Sequence, residues 1–365
     1  MARWRRITGA AGLVVGAVAA GTGAIIAAEK IAVGRQRLRP DPEAAEPLGQ
    51  LRGRALAVLA DDGVPLHVEI NGPDDAPVTV VFCHGYTLNQ DCWHYQRRDL
   101  RGVGRLVFWD QRGHGRSGRS SPDHVSIDQL GTDLYAVLGA VAPGGGPVVL
   151  VGHSMGGMTI MALADQYPGL FGTKVIGVVL ISTAASGIDP TRWLPGPLQL
   201  VARPVAAPVL RGVASGRRAA LVERSRQAAG DLAFLATKYI GFGDGRVSPA
   251  LVDFLELMIR ATPVNVVAEF FLALRGHDKE ATAGVLGLVP VVVLTGERDR
   301  LVPAPLTERL AAQIPGARFI RLAGAGHVVI LERHGEVNEA IASLVTEAAA
   351  GGAADGRSRR RGARR

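Results

Sequence analysis

Five residues carry the sharpest chemical signal in the chain: Gly152-His153-Ser154-Met155-Gly156. They follow an apolar run, Val148–Val151, and open a stretch of helical periodicity, Met155–Tyr167. A serine between strand and helix, with glycine two positions away on each side, can occupy a turn too cramped for larger neighbours, and its hydroxyl then projects from the strand end. Gly152 and Gly156 are the residues such a turn requires. A hydroxyl is a weak nucleophile until a base takes its proton, so a histidine oriented by a carboxylate is expected downstream. Asp299 lies in the loop Leu294–Pro303 just past one apolar run, and His327, in Gly324-Ala-Gly-His327, lies just past the next. Attack on a carbonyl creates an oxyanion, which needs donors fixed in advance. The backbone N–H of Tyr86, where Val78–Phe82 runs into Cys83-His84-Gly85, is expected to pair with that of Met155 for this purpose. His84 and Gly85 read as structural support beneath the site. Glu297 and His334 read as exposed surface groups, and His277 as a solvated one. The nine histidines show no metal-ligand spacing, and the chemistry requires neither metal nor cofactor.

The elements that must hold these groups alternate. Short apolar runs at Leu66–Ile70, Val78–Phe82, Arg105–Trp109, Val148–Val151, Val175–Ile181, Val289–Leu294 and Arg318–Leu322 interleave with helical periodicity at Ile127–Val141, Met155–Tyr167, Pro305–Ile314 and Glu336–Ala348. That rhythm predicts an α/β fold, a mostly parallel sheet with helices on both faces. Two core parts are expected, 56–185 and 285–347. Between them, 186–284 loses the strand rhythm and turns Pro-punctuated and helical, with amphipathic stretches such as Arg217–Ala229, and reads as a lid over the strand ends.

Charge belongs to the two ends. The chain carries 41 Lys+Arg against 33 Asp+Glu, a net +8. Residues 1–39 hold seven basic groups and one acid, and residues 351–365 hold six arginines and Asp355, so 40–350 is about −3. A nucleic-acid-binding domain would carry its positive excess on the folded body, and that class is excluded. An apolar content of 47% with 20% charged residues excludes disorder for the bulk of the chain. The uncharged run 7–28 is long enough for a membrane-spanning helix, roughly 33 Å at about 1.5 Å per residue. Residues 1–34 are therefore expected to anchor the protein in a membrane. The alternative is a signal segment cleaved after Ala17-Val18-Ala19, leaving a secreted enzyme. Orientation stays open because basic residues flank the run on both sides. Residues 35–55 read as a polar linker, and 348–365 as a disordered basic tail. Two cysteines, Cys83 and Cys92, exclude a disulfide framework.

His84-Gly85, Asp110-Gln-Arg-Gly-His-Gly-Arg-Ser117, Gly152-His-Ser-Met-Gly-Gly157, Asp299 and His327, in that order, resemble the α/β-hydrolase superfamily. The resemblance spans about residues 60–345 and implies the α/β-hydrolase fold, with a nucleophile–acid–base triad of Ser154, Asp299 and His327. It implies that Asp110 and its neighbours brace the loop after the fourth strand of that fold. Serine at position 154, where epoxide hydrolases and haloalkane dehalogenases carry Asp, favours acyl transfer. The Gly-His-Ser-Met-Gly-Gly string is similar to monoacylglycerol lipases and bacterial carboxylesterases, which implies a small-molecule ester substrate, and a lid rich in Leu, Val, Ala and Phe beside a membrane anchor points to a lipophilic acyl chain. Carbon–carbon-bond hydrolases and cofactor-free haloperoxidases share the same triad and remain as alternatives, as does a non-catalytic ligand-binding protein of the same fold.

Overall fold

The runs that read as apolar throughout are the strands that lie buried on both faces. A computed structural model describes residues 33–189 and 230–362, together with Lys30, Gly212 and Glu223. Eight strands form one sheet: β1 (Arg54–Leu59), β2 (Pro65–Asn71), β3 (Thr79–Cys83), β4 (Arg105–Trp109), β5 (Val148–His153), β6 (Val175–Ile181), β7 (Val291–Gly296) and β8 (Arg318–Leu322). Their order is β1-β2-β4-β3-β5-β6-β7-β8. β2 pairs antiparallel with β1 and β4, and every pairing from β4 through β8 is parallel. Alternate residues of β3 and β5 feed two cores. Val81, Val148 and Leu150 face one, and Val80, Phe82, Val149 and Val151 the other, as a sheet covered on both faces requires.

Helices follow the same periodicity that marked them in the sequence. In chain order they are α1 (His94–Asp99), α2 (Ile127–Val141), α3 (Met155–Gln166), α4 (Gly230–Gly241), α5 (Pro249–Ala261), α6 (Val264–Arg275), α7 (Ala283–Leu286), α8 (Ala304–Gln313), α9 (Val329–Glu332) and α10 (His334–Gly362). Leu130, Leu134, Val137 and Leu138 of α2 pack on one sheet face, while Val337, Ile341, Leu344 and Val345 of α10 pack on the other. Ser126 starts α2 by accepting the Gln129 N–H at 3.0 Å.

Three stretches differ from the sequence reading. β1 falls inside and just past the expected linker. It is an edge strand with only Val58 fully buried, and its apolar run Ala55–Leu59 stays mostly exposed. The rest of 35–55 is not a free linker but a strap on the helical layer. Residues 33–37 are helical, Val33 and Gln36 are buried, and Gln36 donates to Val247 O at 2.9 Å while accepting Lys238 Nζ at 2.6 Å. Arg37 reaches Asp253 at 3.3 Å and lies over the Phe234 ring. Asp41 accepts the Ala250 N–H at 3.2 Å in the first turn of α5. Polar side chains do this docking, so hydropathy does not register it. The third stretch is the tail. α10 continues through 348–362, where a disordered tail was expected, because Ala and Arg favour helix and no proline interrupts them.

Residues 190–229 of the expected lid, Gly212 and Glu223 apart, fall outside the described residues, and Arg217–Ala229 lies among them; the described remainder is chiefly α4, α5 and α6. Of the expected anchor, 1–34, all but Lys30, Val33 and Gly34 lies outside the described residues. Among the described residues no single helix is long and apolar enough to cross a membrane.

Candidate active site

β3, β5, β6, β7 and β8 run parallel, so the loops leaving their C-terminal ends gather along one edge of the sheet. Each residue singled out for chemistry sits in one of those loops. Ser154 joins β5 to α3 with φ +53° and ψ −118°, a conformation that non-glycine residues rarely adopt. Three hydrogen bonds hold the turn: Ser154 N–H to Ile181 O at 2.9 Å, and Thr183 Oγ1 and the Gly157 N–H to Ser154 O at 2.8 and 2.9 Å. The glycines are required sterically. A Cβ on Gly152 would lie 2.6 Å from Gly156 O, and one on Gly156 would collide with Cys83 O. Met155 is the first residue of α3, so its N–H is one of those the helix itself leaves without a partner.

The loops that carry Asp299 and His327 come together because β7 and β8 are neighbours. A Cβ on Gly296 would strike Gly326 O, and Glu297, exposed as expected, accepts the Gly324 N–H at 2.9 Å and so ties the loops. Asp299 is buried. Its Oδ1 accepts the N–H of Leu301 and of Val302 at 2.9 and 2.8 Å, which leaves Oδ2 to accept His327 Nδ1–H at 2.8 Å. That division orients the imidazole and places its remaining proton site on Nε2.

The β3 loop supplies the opposite wall. Gly85 lies so close that an added Cβ would be 3.3 Å from Ser154 Cβ and 2.8 Å from His153 Nδ1. His84 is locked beneath it. Nε2 accepts the Gln111 N–H at 2.9 Å, so the proton sits on Nδ1 and is donated to Gly85 O at 2.8 Å. Tyr86 packs at the cavity wall with its hydroxyl bonded to Val267 O. Asp110 braces its loop by accepting the Gln90 and Arg116 N–H groups at 2.7 and 2.9 Å, and burial pushes its carboxyl upward. Arg112 grips Asp133 with two bonds of 2.6 Å and reaches Asp62 at 2.8 Å.

Two histidines stand differently from the sequence reading. His277 is buried, not solvated, with Nε2 bonded to Ala184 O at 3.1 Å, because α6 returns the chain against the end of β6. His153 went unremarked as the variable residue before the serine, yet it lines the cavity. It donates Nε2–H to His327 O at 3.0 Å, and its ring lies 4.9 Å from that of His327. Its position beside Ser154 was the signal available. His334 stacks on Tyr95 at 3.9 Å. Burial excludes both thiols from reactivity, pushing Cys83 to about 12 and Cys92 well above its ordinary value.

Ser154, His153 and His327 open into a cavity of about 340 Å³. Its other described walls are apolar or uncharged, chiefly Leu88, Met158, Leu255, Ile259 and Leu274, with Ala233, Ala236, Thr237 and Ile240 of α4.

The family model for the alpha/beta hydrolase family fits residues 80–340. The chain belongs to the alpha/beta hydrolase family. This hydrolase is 26% identical over 268 residues to the AB hydrolase superfamily protein YisY of Bacillus subtilis, covering 73% of this chain and 90% of the relative. It is 30% identical over 132 residues to a monoacylglycerol lipase of Mycolicibacterium smegmatis, covering 35% of this chain and 47% of that one. Among solved structures it superposes on a thermophilic esterase from Thermogutta terrifontis with a TM-score of 0.62, 22% identity, and coverage of 81% of this chain and 99% of the other. At that identity the superposition speaks for the fold.

The hydrolase's buried histidines have a consequence for stability. Desolvation holds His84 and His277 at about 4 and His114 and His153 at about 3, so all four are neutral when folded. In the unfolded chain each takes a proton near pH 6.5. Below that pH the unfolded state binds more protons, so stability is complete above about pH 6.5 and falls as pH drops toward 4. Urea midpoints will be flat from pH 8 to 7 and decline steadily between pH 6.5 and 4.5; a flat line through that lower window contradicts neutral burial.

Proposed function

We propose that the protein is a serine hydrolase that cleaves uncharged carboxylic esters with a lipophilic acyl group. The observation that carries this reading is the division of Asp299: two backbone amides take one oxygen and His327 takes the other, beside a serine held at positive φ in the same cavity. In this reading Ser154 Oγ attacks the carbonyl carbon as His327 Nε2 takes its proton, and the N–H groups of Tyr86 and Met155 hold the oxyanion. His327 then gives the proton to the departing alcohol, leaving an acyl-enzyme. Water, deprotonated by the same nitrogen, releases the acid and restores Ser154. The likeness to a monoacylglycerol lipase and to an esterase supports ester chemistry.

The uncharged cavity wall favours this over carbon–carbon hydrolysis of a dienoic ketone, which would need a cation to grip a carboxylate. Among the described residues none of the wall groups is Lys, Arg, Asp or Glu. Arg217, Arg218, Arg224 and Arg226, in the amphipathic stretch Arg217–Ala229, lie outside the described residues. The reading includes 186–284 as a lid and residues 1–34 as the membrane anchor.

The test is turnover of p-nitrophenyl esters from acetate to dodecanoate, with fluorophosphonate labelling of the same preparation. We expect stoichiometric labelling at Ser154 and higher kcat/KM for medium chains than for acetate. A folded protein that takes no label and turns over no ester is a binding module, and the proposal fails.

A further inference from the structure

One carboxylate that no step of the proposed reaction uses joins the cavity wall to the base loop. Glu332, the last residue of α9, accepts the N–H of Gly326 on Oε2 at 2.7 Å, and Gly326 immediately precedes His327. Its Oε1 accepts the Asp244 N–H at 2.7 Å, and both oxygens lie within reach of the Gly243 N–H, at 3.1 and 3.2 Å. Gly243 and Asp244 are the residues just past α4, the helix that presents Ala233, Ala236, Thr237 and Ile240 to the cavity.

Other bonds draw the same two bodies together. Val328, on the far side of His327, donates its N–H to Gly241 O at 2.9 Å. The residues flanking Asp299 do likewise: Arg300 donates to Tyr239 O and Phe242 O at 2.7 and 3.1 Å, and Arg298 to Gly243 O at 3.4 Å. There is no slack in the packing, because a Cβ on Gly243 would sit 2.5 Å from Gly326 N. The C-terminal turn of α4 is thus bonded to residues on both sides of His327 and both sides of Asp299.

We infer that Glu332 is a positioning residue that couples filling of the cavity wall to alignment of His327. This rests on the triad reading given above. Three N–H donors converge on the carboxylate, which alone among side chains offers two acceptor oxygens and no donor. An acyl chain packed on α4 restricts that helix, and the shared carboxylate passes the restriction to the loop that carries the base. Binding energy from the non-reacting part of the substrate is then spent on orientation, so kcat, and not only KM, rises with acyl length.

The test uses Glu332→Gln in the full chain. The amide keeps the shape but aims an NH₂ at one of the N–H donors. For p-nitrophenyl acetate, butanoate and octanoate, kcat of the parent rises with length. In Glu332→Gln we expect that rise to vanish. Octanoate kcat then falls by about tenfold or more, acetate kcat changes little, and KM keeps its dependence on length. The same length dependence of kcat as in the parent overturns the coupling, and so does a loss equal at every length, which is what a purely structural role would give. If Glu332→Gln does not fold, Arg300→Met releases α4 from the acid-loop side; it must flatten the kcat series in the same direction, and an unflattened series overturns the coupling. A parent that takes no fluorophosphonate and cleaves no ester sinks the triad reading itself, whereas an active parent with an unaltered variant sinks only the coupling.

Discussion

Ser154→Ala will fold, keep its cavity and lose ester turnover by about 10⁶-fold, the scale set by removing the nucleophile of a serine triad. The backbone reason for expecting a folded protein is specific. The strained φ at this position is held by the Ile181, Thr183 and Gly157 hydrogen bonds, all made by main-chain atoms of residue 154. Alanine keeps the Cβ that packs beside Gly85 and loses only the hydroxyl. No buried partner of Oγ is orphaned in a way that would cost several kcal/mol, so thermal unfolding should shift little. Intact-mass measurement after fluorophosphonate treatment checks the chemistry: the parent gains one adduct and the variant none. A variant that retains a tenth of parental kcat, or labels equally, ends the assignment of Ser154.

Asp299→Asn is expected to lower kcat by about 10⁴-fold, through geometry that only the structure reveals. An aspartate accepts at both oxygens and satisfies three donors here: the Leu301 and Val302 amides at Oδ1 and His327 Nδ1–H at Oδ2. Asparagine has one acceptor oxygen. If that oxygen faces the two amides, its NH₂ faces Nδ1 and forces the imidazole into the tautomer with its proton on Nε2, which cannot receive the serine proton. If it is flipped, the NH₂ confronts two buried N–H groups, and stability suffers by about 1–3 kcal/mol. The first arrangement satisfies more groups, so the expected variant is folded and nearly inactive, with its remaining activity rising at high pH. A near-parental kcat would mean that Asp299 does not orient the base and would redirect attention to Glu297, which ties the two loops together.

The frame was legible in the sequence because parallel strands buried on both faces write themselves as unbroken apolar runs. β4 (Arg105–Trp109) and β6 (Val175–Ile181) coincide with such runs, and α2 spans Ile127–Val141 as its periodicity indicates. The turn at Ser154 was legible for a related reason: only glycine fits where Gly152 and Gly156 meet backbone atoms, so steric necessity leaves a mark in residue type. What failed to register was docking by polar groups. Gln36, Arg37 and Asp41 make a strap because particular partners await them on α4, α5 and the turn between, and an isolated glutamine looks the same in a linker as in a buried hydrogen bond. His277 was misread for the converse reason, since a lone histidine carries no sign of the carbonyl that will bury it.

By itself, the sequence determined the parallel part of the sheet, the turn at Ser154 and the order in which Asp299 and His327 follow it, since each depends on local steric or hydropathic rules that residue type expresses directly. Tertiary structure alone decided which oxygen of Asp299 meets His327, that His153 fastens the base loop, and that Glu332 joins that loop to the cavity wall. Those are relations between residues as many as 174 positions apart, and hydrogen bonds over such separations are fixed by how strands and loops meet in space, a quantity that no local pattern of residues encodes.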